Sequence, residues 1–293
     1  MASLKEVKDR ITSVKSTRKI TSAMKMIASA KLHKAQAAIT NFLPYSEKLN
    51  SILSNLLSSD IGFDSPFSQQ REVKKVAVVV FSSNTSLCGA FNSNVFKEFR
   101  SVYSGLRKET DADNILIYPV GKKIEELLKK QKIKSEGSYQ EMLEKPIYEP
   151  VAELAQGLID KFLRKDLDKI VLVYHHFKST ASQIIVQKTY LPFDVSEVQP
   201  EGNDSAYQSD YILEPSRDEI LSELIPKVLV SRLYAALLDT VASEHAARTM
   251  AMQVATTNAD DLIQDLTVQY NKTRQQSITN ELLDIIGGAA ALE

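Results

Sequence analysis

Residues 2–57 carry one continuous helical pattern. Leu4, Val7, Ile11 and Val14 recur at alternating three- and four-residue spacing, as on a helix with one apolar stripe. The stripe then drifts to Ile20, Met24 and Ile27 and resumes at Leu32, Ala35, Ile39 and Phe42. That drift predicts a period nearer 3.6 than 3.5, and a nearly straight or weakly supercoiled helix pair. Pro44 is expected to kink or restart the helix. Beyond it, Leu49, Ile52, Leu53, Leu56 and Leu57 form a further apolar face. Residues 60–70, with Gly62 and Pro66, read as a loop and a domain boundary.

From Val73 the pattern changes to short β-branched runs separated by helical stretches. Strands are predicted at 76–81 (VAVVVF), 115–120 (ILIYPV) and 170–177, with helices at about 90–106, 121–131 and 151–164. A fourth strand at 183–191 alternates apolar and polar residues, so it is expected to be antiparallel or at an edge. Strand–helix alternation of this kind predicts a small α/β domain with a largely parallel sheet. Residues 192–215 are polar and acidic, a loop with one hairpin strand at 210–215.

Helix resumes near Ser216, where Ser216 and Glu219 stand at capping-box spacing. Pro226 marks a kink or a new start. From Lys227 to Ile286 there is neither Pro nor Gly, about 60 residues or roughly 90 Å if continuous. Such length favours a coiled coil. Small residues line one face: Ala242 and Ala246, then Ala247, Ala251, Ala255 and Ala259 at i, i+4. Larger knobs follow at Leu262, Leu266, Ile278, Leu282 and Ile285, and residues 258–261 are a weak spot for a bend. Two long helices flanking a compact insert, if they leave it on one side, run antiparallel. The C-terminal one is longer, so its apolar, nearly uncharged end projects beyond the first and needs an apolar sleeve.

Composition narrows the functional classes. One Cys and four His leave no internal disulfide and little for a metal cluster. The N-terminus lacks an apolar signal core, and no run of about 18 apolar residues is present. Net charge is −1, but residues 1–34 hold nine Lys and Arg against two acids, which leaves the remainder at −8. The basic segment is either a solvated helix face or a surface for an acidic partner, protein or nucleic acid. No GxxxxGK[ST] or GxGxxG loop occurs. The turn 83–89, where a doubly wound sheet binds ligands, has one Gly and no basic residue. His175 and His176 point to opposite faces of a strand and cannot chelate one metal together. Cys88 reads as a buried thiol, and Asp260 and Asp261 as solvated or partner-facing. No catalytic group, cofactor or metal site is expected.

Several stretches resemble the gamma subunit of F-type ATP synthases. Residues 278–291 carry its Ile-Thr-x-Glu start, an acid at Asp284 and the Gly288-Ala289 pair. Residues 20–31 (ITSAMKMIASAK), Leu87-Cys88-Gly89, residues 243–252 (SEHAARTMAM) and residues 270–279 (YNKTRQQSIT) are similar too, in the family's order and across nearly the whole chain. Asn84-Thr85-Ser86 departs from the family's charged residue and Gly, which affects only the local turn. The resemblance implies an α+β/α/β fold: a long antiparallel coiled coil of the N- and C-terminal helices with an inserted Rossmann-like α/β domain, the segments being 1–60, 73–213 and 216–293.

It also implies a function, the non-catalytic rotor shaft of an F1Fo complex on the cytoplasmic face of a bacterial plasma membrane. The expected partners are three alpha and three beta subunits, epsilon and the c-ring, with no nucleic acid and membrane contact only through the complex. By motif match, Met24, Lys25 and Arg248 fall where the shaft meets a lever of beta. Arg274, Gln275, Thr279 and Glu281 resemble a polar catch against beta, and Tyr211 and Glu214 a foot against epsilon and the c-ring. Two other readings stay open from the residues alone: a coiled-coil scaffold without rotary function, and a small nucleotide-binding α/β enzyme.

Overall fold

The computed structural model describes residues 3–58, 65–193, 213–214 and 216–290. Among the described residues six α-helices and four strands follow one another as α1 (Leu4–Ser58), β1 (Val76–Phe81), α2 (Phe91–Leu106), β2 (Ile115–Val120), α3 (Lys122–Lys130), α4 (Glu141–Glu144), α5 (Tyr148–Leu163), β3 (Lys169–Phe177), β4 (Gln183–Leu191) and α6 (Arg217–Ala290), with one 3-10 turn at Ala112–Asn114 before β2. The predicted hairpin strand at 210–215 lies almost wholly outside the described residues. The chain divides into two compact units, residues 30–247 and the two termini, 1–29 with 248–293.

In the larger unit the strands lie in the order β2-β1-β3-β4. β1 is parallel to β2 and to β3, and β4 pairs antiparallel with β3, as its alternating pattern predicted. β1 is buried along its whole length because helices cover both faces of the sheet. Ala77, Val79 and Phe81 pack toward α5, the second half of α1 and the first part of α6. Val76, Val78 and Val80 pack toward α2 and α3. α6 enters this unit through a cap in which Ser216 Oγ accepts the Glu219 N–H at 3.3 Å. Its buried stripe here, Leu221, Ile225, Val228, Leu229, Leu233, Ala236 and Leu237, keeps helical spacing. The Arg217 guanidinium donates to the Leu56 carbonyl in the last turn of α1, where carbonyls lack helical partners.

Neither proline restarts a helix: α1 runs through Pro44 and α6 through Pro226. Each removes one N–H, from the carbonyls of Thr40 and Ser222, and both of these residues are exposed, so water can serve the freed carbonyl. Residues 258–261 stay helical. α5 begins three residues before the predicted start, with Pro150 in its first turn, where a missing N–H costs little.

In the smaller unit the two helices run in opposite directions. Arg18 pairs with Asp260, Thr21 with Thr256 and Lys25 with Gln253, so one number falls as the other rises. The packed positions differ from the predicted drift. Leu4, Val7, Ile11, Val14, Arg18, Thr21, Lys25 and Ala28 repeat every seven residues, and all but Arg18 are buried or half-buried. Ile20 and Ile27, read as part of the stripe, are 57% and 59% exposed. Polar residues occupy the seam at 18, 21 and 25, and that disguised the period.

In this unit the partner face on α6 coincides with the predicted i, i+4 alanine line only at Ala259, while Ala242 and Ala246 are buried in the larger unit. The partner face is Met252, Thr256, Ala259, Ile263, Leu266, Tyr270, Thr273 and Ser277, again at seven-residue repeats. Leu262, Ile278, Leu282 and Ile285, predicted as knobs, are exposed, whereas Leu266 is buried. The register set by the three pairs puts Leu4 level with about Thr273. Later residues of α6 have no α1 segment beside them, and residues 278–287 are all exposed.

Candidate functional site

Two places can carry function: the crevice at the carboxyl ends of the parallel strands, and the surface of the helix pair. A doubly wound sheet binds phosphates in the first of these, on helix N-termini. Here the chain's own acceptors occupy that position. At the start of α3, the Lys122 N–H donates to Asn84 Oδ1 at 3.0 Å and the buried Ile124 N–H to Ser82 Oγ at 3.0 Å. The Lys123 N–H donates to the Ser83 carbonyl at 3.0 Å. Beneath the turn, Asn92 Oδ1 accepts the Ser83 N–H at 3.0 Å, and Asn92 Nδ2 reaches Cys88 Sγ at 3.2 Å. Cys88 is buried in this network. Leu87 and Gly89 take positive φ, and Gly121, at φ 116, turns the chain from β2 into α3. The crevice is closed by polar groups that satisfy one another.

The two adjacent histidines separate as strand geometry requires. His175 is buried and stacks on Phe91 with ring centroids 4.1 Å apart. Its Nδ1 has no partner among the described residues, and burial pushes the imidazole pKa down to about 4. On the other face, His176 Nδ1 lies 2.7 Å from Asp239 Oδ2, whose own carboxyl is raised by burial against that bond. Among the described residues no group of three His, Cys, Asp or Glu side chains could hold a metal ion.

The helix pair presents a different chemistry. Lys25 Nζ donates to Gln253 Oε1 at 2.5 Å, so this half-buried cation is held inside the pair. Met24 is half-buried beside the seam, and Arg248 is buried at 8% exposure. Asp260, expected to be solvated or partner-facing, is exposed and also accepts from Arg18 at 2.8 Å. Arg274, Gln275, Thr279 and Glu281 are all exposed, near the level at which α1 begins. Thr279 Oγ1 donates to the Gln275 carbonyl at 2.9 Å, and Glu281 accepts from Ser277 Oγ at 3.3 Å. Glu214 is exposed, and Tyr211 lies outside the described residues.

Beyond the apolar tip expected from the sequence, the helix pair carries an apolar outer surface that sequence reasoning missed. Besides Ile20 and Ile27, Met26, Met250, Val254 and Val268 are between 41% and 66% exposed, and Leu283 and Ile286 toward the tip are 61% and 64% exposed. The signal was in the sequence, since these apolar residues fall outside a strict seven-residue repeat. Exposed apolar surface on this scale marks an interaction face.

These features define a class: a protein of two long terminal helices, paired over part of their length, with an α/β body inserted between them in the sequence. The comparisons identify the family within that class. A family model described as ATP synthase matches residues 3–292. The ATP synthase gamma chain of Bacteroides fragilis is 59% identical over 291 residues, covering 99% of this chain and all of that one. Two solved structures share the fold at lower identity. The rotor of the Euglena gracilis mitochondrial ATP synthase matches at a TM-score of 0.63 and 18% identity, over 94% of this chain and 98% of that one. A chain of the same synthase's OSCP/F1/c-ring assembly matches at 0.66 and 19%, over 99% and 94%. The chain belongs to the ATP synthase gamma-chain family, a non-catalytic stalk subunit of that enzyme.

Proposed function

We propose that this chain is the rotating shaft of an F1Fo ATP synthase, passing torque between an ion-driven c-ring and the catalytic beta subunits. In this reading residues 1–60 and 216–293 form an antiparallel coiled coil with a left-handed supercoil, the hand that a seven-residue repeat favours. Residues 73–213 form a Rossmann-like body that meets epsilon and the c-ring through Tyr211 and Glu214. The shaft sits in a ring of three alpha and three beta subunits on the cytoplasmic face of a bacterial plasma membrane.

The observation that carries the reading is the division of labour on the helix pair. Its seam holds polar and apolar side chains alike, while Ile20, Met26, Ile27, Val254, Val268 and Ile286 are left outside. A shaft that turns in a sleeve needs contacts that are easily broken, and apolar contacts without directional bonds meet that need. The nearby Arg274, Gln275, Thr279 and Glu281 supply a polar catch. Arg248 is assigned to the lever region, though its burial makes it a support for the contact and not the contact itself.

Two experiments test the reading. Alpha, beta and epsilon subunits supplied together should co-purify with this chain in defined ratio; a chain that remains alone would sink it. Met24→Lys adds a cation beside Lys25 and should bind one rotational state too tightly, lowering proton pumping per ATP hydrolysed. Unchanged coupling in that variant would remove Met24 from the lever.

A further inference from the structure

We infer that a cavity between α6 and the strand pair β3–β4 binds a tetrahedral oxyanion the size of inorganic phosphate. The cavity measures about 120 Å³ and lies within the larger unit. Two small residues of α6, Ala235 and Ala236, line it and leave the space that larger side chains would fill. One water takes up about 10–15 Å³ of such a space. The cavity therefore has room for several waters, or for one small polyatomic ion.

Tyr190 of β4 lines this cavity and is 2% exposed. Its hydroxyl has no hydrogen-bond partner among the described residues. Burial raises its pKa, so at neutral pH the phenol keeps its proton and is a donor. Buried hydroxyls are almost always bonded, because one left unmade bears its whole desolvation cost. This donor calls for an acceptor inside the cavity.

The other walls set the charge and shape of that acceptor. Lys188, in register with Leu172 of β3, and Arg232 of α6 are both half-buried and both line the space. The Arg232 guanidinium is held 4.7 Å over the Phe193 ring. Both cations also bond elsewhere, but an ammonium and a guanidinium each carry several N–H donors and can serve a second acceptor. Ser46 of α1 accepts from Ser231 Oγ at 3.2 Å, so its own proton can donate to another group. The acid on the walls is Asp239, whose Oδ2 is engaged by His176 at 2.7 Å. Two cations and two hydroxyls against one engaged carboxylate favour an anion. Those donors come from α1, β4 and α6. A planar carboxylate offers oxygens along one edge only, whereas a tetrahedral oxyanion offers them in every direction.

The test titrates the full-length chain, without other subunits, with sodium phosphate in a calorimeter at neutral pH. Sodium acetate and sodium chloride at equal ionic strength are the other arms. Phosphate should bind saturably, one per chain, and raise the thermal midpoint over the same concentration range. Tyr190→Phe removes a hydroxyl that the protein itself leaves unbonded, so without phosphate this variant should be at least as stable as the parent. It should bind phosphate about tenfold more weakly, as should Lys188→Gln. Heat that never saturates means that water alone fills the cavity, and overturns the inference. So does acetate binding as tightly as phosphate, or unchanged phosphate affinity in either variant.

Discussion

Gly121→Ala tests how the crevice is held shut. The backbone at Gly121 has φ 116 and ψ 148, a region that side chains avoid, and holding alanine there costs about 1–3 kcal/mol. A Cβ would also stand 2.7 Å from Ser82 Oγ, 2.8 Å from Leu143 Cδ1 and 2.9 Å from the Ser82 carbonyl oxygen. The leucine methyl can move, but the carbonyl cannot without disturbing β1. Moving Ser82 Oγ releases the buried Ile124 N–H it accepts at 3.0 Å, a further loss of about 1–3 kcal/mol. Alanine returns roughly 0.4–1 kcal/mol through the unfolded chain. The expected net cost is about 2–4 kcal/mol, read as a lowered urea midpoint at unchanged slope. A Ser82→Ala background removes one of the clashing atoms and has already lost the cap. There Gly121→Ala should cost about 1–2 kcal/mol less than in the parent. A cost below about 1 kcal/mol in the parent, or strict additivity, would refute the account.

Three further outcomes are expected. Glu125 is held at a pKa of about 2, chiefly by its bond from Lys129 and then those from Gln140 and Ser138. It therefore adds stability above its unfolded value of 4.5 that is lost as pH falls from there toward 2, and Glu125→Gln should flatten the stability curve across that window. His175 is also depressed, so the protein should lose stability as pH falls from 6.5 toward 4, and His175→Phe should remove that slope in urea titrations at each pH. On the helix pair, Ile11→Ala in the seam should destabilise the pairing by about 1–2 kcal/mol in thermal melts. Ile20→Ser, on the outer face, should leave the melt unchanged and weaken association with alpha and beta; a reversal of those two results would invert the seam assignment.

The sheet was legible because its signals are local. The VAVVVF run at 76–81 reads as a strand buried on both faces, and β4 betrays its edge position by alternation. The cap at Ser216 was legible for the same reason. The helix seam was not, since a pattern reading places apolar residues inward and polar ones outward. Ile20 and Ile27 break the first half of that rule, and Arg18, Thr21 and Lys25 the second. On the function proposed above the outer face is covered by other subunits, so burial in the isolated chain is the wrong standard for those residues. Pro44 and Pro226 misled because the carbonyl each one frees lies on an exposed face. The polar tail residues drew attention only through motif resemblance, as an exposed Arg274 or Glu281 is indistinguishable by pattern from any solvated helix face.

On the function proposed above, this chain rotates inside its partners. Cys88 is 1% exposed, so one cysteine introduced at exposed Lys108 becomes the reactive thiol. A rod attached there, with the alpha and beta ring fixed to a surface, should turn steadily in one direction under ATP and stop when ATP is removed. A rod that stays still while the same complexes hydrolyse ATP at full rate would contradict the account.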